Sequence, residues 1–198
     1  MSYLLCLDDC GHEPDLTSPY PDSAINWIGD STPDQLRIED VLSALAKRDC
    51  RILHVGVGNS DLASRFLSLG GWIDGVTIGE REWQMAQAAA FVLSHRYYTC
   101  QVNKYSAELV QAFKHAPYDF IIDNNLASYA CCVTHFHQMM DNYRNALAPG
   151  GAILTDRAGL AHAPGDPNWN LVDDIQAVAD RFGLVLTRET EMVYALRK

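Results

Sequence analysis

The chain is poor in positive charge. Lys and Arg number 15 against 25 Asp and Glu, a formal net charge of −10 at pH 7. Gripping a phosphate backbone needs the opposite balance, so no nucleic acid is expected as a partner. Long apolar runs are also missing. None approaches the roughly 20 residues that span a bilayer, so no membrane association is expected. Residues 1–10 are apolar but lack a basic start and turn acidic at Asp8-Asp9, which makes a poor signal peptide. Without export, the six cysteines are expected to be reduced and the protein cytoplasmic. Zinc-type spacing is lacking too. Cys6, Cys10 and His12 lie close in sequence, but they match no strong pattern and no second ligand pair is obvious nearby, so no metal is expected. What is present is ordinary: 198 residues, 48% hydrophobic and 20% charged, fit one globular domain with a sizeable core.

Residues 51–82 organise that domain. Ile52-Leu53-His54-Val55 is a short apolar run that breaks into the turn Gly56-Val57-Gly58-Asn59-Ser60. Leu62, Phe66 and Leu69 then mark one face of a helix that stops at Gly70-Gly71. A second apolar run, 72–78, ends in Glu80-Arg81-Glu82. The pattern is strand, glycine loop, helix, strand and acidic end. Such a loop lets backbone approach a ligand, and the helix start offers unpaired N–H groups. An acid after the second strand can accept the hydroxyls of a ribose. The unit therefore predicts a nucleoside-containing ligand. A dinucleotide is disfavoured: the third small residue of a G-x-G-x-x-G fingerprint falls on Asp61, whose carboxylate would repel a pyrophosphate.

Strands and helices alternate through the rest of the chain. A helix is expected from Thr32-Pro33 to about Arg48, another over 83–95, a strand over 97–102 and a helix capped by Ser106 to about His115. Strand 118–123, helix 133–147 and strand 152–155 follow, then helix 168–182 and two closing strands, 184–187 and 192–196. Alternation implies a mainly parallel sheet covered on both faces, and the tight final connection adds an antiparallel hairpin.

The segment Gly56-Val57-Gly58-Asn59-Ser60-Asp61-Leu62 resembles motif I of class I S-adenosylmethionine-dependent methyltransferases. Tyr118-Asp119-Phe120-Ile121-Ile122-Asp123-Asn124-Asn125 resembles their motif IV. Leu147-Ala148-Pro149-Gly150-Gly151 resembles the turn before their fifth strand. Together, in order, the motifs imply an α/β, Rossmann-like class I methyltransferase fold with a seven-stranded sheet. A single domain over 1–198 is expected, with a cap segment at 1–31 and a core at 32–198. The resemblance also implies S-adenosyl-L-methionine as cofactor. By it, Gly56, Val57, Gly58, Asn59, Ser60, Thr77, Ile78, Glu82, Asn103, Asp123 and Asn124 would line the cofactor site. The family's usual ribose-binding acid is replaced by Thr77. Glu82, five residues later, matches the offset used by the cyclopropane-fatty-acid-synthase-like branch, with Glu80 as the other candidate. His54 stands where motif I usually has an acid.

Methyl transfer asks the protein to align donor and acceptor and to exclude water. A base is needed only when the acceptor arrives protonated. His135 and His137 are the candidates for that role, and Tyr129 is a candidate for stabilising the cation or touching substrate. Two residues apart on a helix, the histidines point to different faces. Tyr20, Trp27, Asn125 and Arg157 are candidate substrate contacts, and Lys104 could also bind a carboxylate. Cys131-Cys132 invites a nucleophile reading, but no adjacent base is evident in sequence. No D/N-P-P-Y run occurs, so a small-molecule acceptor is expected. An enzyme that cleaves or cyclises the cofactor, and a non-catalytic binder, remain alternatives. Oligomeric state and acceptor identity are not encoded in any motif.

Overall fold

The computed structural model describes residues 8–16, 29–93, 95–128, 130–161 and 174–198. Its centre is a seven-stranded sheet: β1 (Arg51–Val55), β2 (Trp72–Thr77), β3 (Tyr97–Gln101), β4 (Tyr118–Asp123), β5 (Leu147–Asp156), β6 (Val185–Arg188) and β7 (Val193–Arg197). The strand order is β3-β2-β1-β4-β5-β7-β6. The first five strands run parallel, and β7 is antiparallel to both β5 and β6. Helices are α1 (Pro33–Leu45), α2 (Asp61–Leu67), α3 (Glu80–Leu93), α4 (Val133–Ala146) and α5 (Ile175–Arg181).

Side-chain alternation along β1 separates two cores. Leu53 and Val55 pack with Phe136, Met139, Met140 and Tyr143 of α4 and with Ile175 and Val178 of α5. Ile52 lies in the other core, with Ile38 and Leu42 of α1 and Leu62 and Phe66 of α2. The sheet is thus covered on both faces, as its apolar strands require. Asp74 is the exception within β2. It is fully buried, and its carboxylate is bound by the backbone and ring of His115 and by the Tyr118 hydroxyl.

Three expected elements differ in the structure. Ser106 does cap, its Oγ accepting from Glu108 N at 3.1 Å, but the turn is the 3-10 segment Ala107–Ala112. Leu109 and Ala112, three residues apart, are both buried, a spacing that suits three residues per turn. β5 starts at Leu147, earlier than the expected 152. Gly150, at φ +79°, and Gly151 let the strand absorb a register shift between Tyr118↔Leu147 and Phe120↔Ala152. A Cβ on Gly151 would sit 2.8 Å from the Tyr118 carbonyl. Of the expected helix 168–182, the described part is α5; residues 168–173 lie outside the described residues.

Candidate functional site

The strand order reverses between β1 and β4. In open α/β sheets, ligands sit at such a switch point, beyond the carboxyl ends of the strands. The loop after β1 carries Gly56 at φ +76°, Gly58 at +53° and Ser60 at +65°. Gly56 N is held by the Val76 carbonyl of β2 at 2.8 Å, so the turn starts from a fixed point. Asn59 closes the turn with Asp61: its Oδ1 accepts from Asp61 N and its Nδ2 donates to Asp61 Oδ2 at 2.8 Å. Ser60 Oγ meets the buried Tyr97 hydroxyl at 3.1 Å. Burial pushes that phenol up to about 12, so Tyr97 acts here as a neutral hydrogen-bonding group.

Glu82 joins the two loops. It sits in the first turn of α3 and is buried, and its carboxylate accepts from Gly58 N and, at 2.6 Å, from Thr77 Oγ1 at the end of β2. Thr77 Oγ1 in turn accepts from Gly79 N at 3.3 Å. Glu80 is exposed and bonds Gln84. The Ile78 carbonyl accepts from Gln101 Nε2 at 3.1 Å. Val57 is buried behind the loop.

At the end of β4, Asp123 is buried and fully engaged. Lys104 Nζ lies 3.0 and 2.9 Å from its two oxygens, and the Tyr143 hydroxyl donates to it at 3.0 Å. Lys104 also donates to the Asn125 carbonyl at 2.6 Å, while the Tyr105 hydroxyl donates to the Ser128 carbonyl at 2.7 Å. Burial pulls the Lys104 ammonium below its ordinary value against the upward pull of Asp123. This lysine therefore supports the 124–128 loop. Asn124 is buried, and its Oδ1 has no hydrogen-bond partner among the described residues. Trp83 Nε1, on α3 next to Glu82, is a buried donor without a partner among the described residues. Buried polar atoms rarely go unpaired, so both suit contact with a polar ligand.

The remaining candidates scatter. Asn103 spends its side chain on the Asp15 carbonyl and on Tyr105 N. Asn125 and Arg157 are exposed, and Arg157 N bonds the Met192 carbonyl. Tyr20, Trp27 and Tyr129 lie outside the described residues. His137 packs edge-on to Phe182, ring centroids 5.7 Å apart, and burial lowers its pKa. His135 instead meets sulfur: its Nδ1 lies 3.2 Å from both Cys131 and Cys132. Burial and the neighbouring thiols push the Cys131 thiol up, opposite to what a nucleophilic thiolate needs. The histidines do diverge, as their spacing predicts. Sequence reasoning passed over the Lys104–Asp123–Tyr143 lock and the partners of His135. The Cys131-Cys132-x-x-His135 spacing is the signal that could have shown the latter.

His54, the penultimate residue of β1, is fully buried, and neither ring nitrogen has a partner among the described residues. Burial lowers its pKa to about 4, so it is a neutral core residue.

This strand order, with a glycine loop after β1 and an acid after β2, is the class I methyltransferase fold. No protein-family model and no curated protein matches the sequence. Solved structures do match. One is Burkholderia thailandensis 1,6-didemethyltoxoflavin-N1-methyltransferase, with 1,6-didemethyltoxoflavin and S-adenosylhomocysteine bound. It is 14% identical at TM-score 0.62, over 84% of this chain and 78% of that one. A TehB-like S-adenosylmethionine-dependent methyltransferase from Corynebacterium glutamicum is 14% identical at TM-score 0.60, over 81% and 85%. The [4+2]-cyclase SpnF is 18% identical at TM-score 0.53, over 78% and 58%. At these identities the likeness is one of fold.

Proposed function

We propose that the protein binds S-adenosylmethionine and transfers its methyl group to a small molecule. The observation that carries this reading is the Glu82 carboxylate, buried between Gly58 N of the loop after β1 and Thr77 Oγ1 at the end of β2. A carboxylate there can accept further hydrogen bonds from ribose hydroxyls. Gly56 and Gly58 let backbone approach the ligand, and Asp61 beside the loop suits a ligand without phosphate. The orphaned Asn124 Oδ1 offers an acceptor where the donor's amino acid end would lie. Asn103, Thr77 and Asp123 act through their neighbours, fixing residues 8–16, Glu82 and the 124–128 loop respectively.

S-adenosylmethionine supplies a methyl group already activated by the sulfonium charge. The chain's task is to orient donor and acceptor and to keep water out, which can supply several kcal/mol of the barrier. Neither histidine is needed when the acceptor arrives deprotonated. The structural neighbour with 1,6-didemethyltoxoflavin bound, itself named a methyltransferase, supports a small acceptor. The excess of acidic residues supports an acceptor other than nucleic acid. SpnF, a cyclase on the same fold, keeps a second reading in view: a reaction without intermolecular methyl transfer.

Incubation with S-adenosylmethionine separates the two. Methyl transfer predicts S-adenosylhomocysteine formed only when a metabolite extract is added. Methylthioadenosine released at catalytic rates without any acceptor would overturn it in favour of cofactor cleavage or cyclisation.

A further inference from the structure

Three thiols and an imidazole converge at the start of α4. Cys132 is its N-cap, with Sγ accepting from His135 N at 3.5 Å, and Cys131 precedes it. Cys10 arrives from a segment 121 residues away in sequence. That segment is tied down on its own account. The Asp8 carbonyl accepts from Thr134 N at 3.0 Å and from Thr134 Oγ1 at 2.7 Å, and Glu13 Oε1 accepts from Ala107 N at 2.6 Å.

The distances are those of a coordination polyhedron. Cys10 Sγ lies 3.6 Å from Cys131 Sγ, which lies 4.0 Å from Cys132 Sγ. His135 Nδ1 is 3.4 Å from Cys10 and 3.2 Å from each of the other two sulfurs. All four atoms fall within 4.8 Å of one another. A zinc tetrahedron with three sulfurs and one nitrogen has edges of about 3.8 Å between sulfurs and about 3.5 Å from sulfur to nitrogen. The observed sulfur–sulfur edges of 3.6 and 4.0 Å lie on either side of the first value, and the sulfur–nitrogen edges of 3.2–3.4 Å fall slightly short of the second. Hydrogen bonding gives no comparable reason to assemble three thiols on one ring nitrogen, because thiols are weak donors and acceptors.

We propose that Cys10, Cys131, Cys132 and His135 bind one zinc ion in a closed tetrahedral site that fastens residues 8–16 to the start of α4. Four protein ligands leave no position for water or substrate, so the ion is structural. Binding replaces three S–H bonds with three Zn–S bonds, adds one Zn–N bond from neutral His135, and releases three protons to solvent. The site ties residues 8–16 to the start of α4, and it assigns His135 to the metal. It stands independently of the methyl-transfer reading.

The test uses the full chain, expressed with added zinc and purified under reducing conditions. Elemental analysis is expected to find about one zinc per chain. Replacing zinc with cobalt is expected to give the intense visible bands of tetrahedral cobalt and a sulfur-to-cobalt charge-transfer band. Cys10→Ser and Cys132→Ser should each lose most of the metal, whereas Cys100→Ser, on β3 outside the cluster, should keep it. If Cys132→Ser does not fold, Cys10→Ser and the cobalt spectrum of the unmutated chain carry the test. Reduced protein that takes up neither zinc nor cobalt would overturn the proposal. So would equal zinc content in Cys10→Ser and Cys100→Ser, or a disulfide among these cysteines that persists under reduction.

Discussion

Glu82 and His54 show how one side chain can carry very different consequences. Glu82 has its carboxylate on Gly58 N and Thr77 Oγ1, so it both shapes the glycine loop and presents negative charge to it. Glu82→Ala is expected to weaken S-adenosylhomocysteine binding by about 1.5–3 kcal/mol, roughly 10- to 150-fold in Kd by calorimetry. Unchanged affinity would move the ribose role to Glu80 or elsewhere. His54 makes a prediction about stability instead. Its folded pKa of about 4 lies below its ordinary value of 6.5, so the unfolded chain binds the proton more readily. Its neutral form is compatible with the fold above pH 6.5, and stability falls as pH drops from about 6.5 towards 4. The full loss is on the order of 3 kcal/mol, about 2 of which is reached by pH 5. Urea unfolding of His54→Leu should show a correspondingly shallower dependence between pH 7.5 and pH 5. An identical slope in the variant would place the titration elsewhere.

Among the elements, the loop after β4 is held from below. Lys104 pairs with buried Asp123 and binds the Asn125 carbonyl, and Tyr143 of α4 bonds the same carboxylate. Lys104→Ala would leave Asp123 buried without its cation, at a cost of about 3–5 kcal/mol. Thermal unfolding of Lys104→Ala, and of Lys104→Ala combined with Asp123→Asn, checks this: the double variant should recover part of the loss. If the single variant is as stable as the parent, the pair does not support the loop. These elements were legible in sequence to different degrees. β1 and β4 declared themselves as apolar runs because both of their faces are covered, and α4 because one-sided burial imposes a helical period. Residues 107–112 did not, because a capped apolar turn looks the same whether it continues as α or closes as 3-10. The Lys104–Asp123 pair was hidden because an isolated lysine in a loop gives no sign of the carboxylate it will meet. Cys10 was hidden for the same reason, since its partners are more than a hundred residues away.

The whole molecule is a sheet whose order reverses between β1 and β4, and the candidate site follows from that reversal. The glycine loop and the acidic end of β2 were readable before any coordinates, because both are local patterns on consecutive elements. Asn124 was named through the motif IV resemblance, but the unpaired state of its Oδ1 and the contribution of Trp83 were not readable, because a buried atom left without a partner exists only after packing. Among the described residues, no helix is long and apolar enough to cross a membrane. The central claim is that the carboxyl end of the sheet, at β1, β2 and β4, binds S-adenosylmethionine. Titration calorimetry with S-adenosylhomocysteine, with NADH as the comparison ligand, tests it most directly. Saturable binding of S-adenosylhomocysteine, weakened by Glu82→Ala, and no binding of NADH are expected. No detectable heat at millimolar S-adenosylhomocysteine, or preferential binding of NADH, would contradict it.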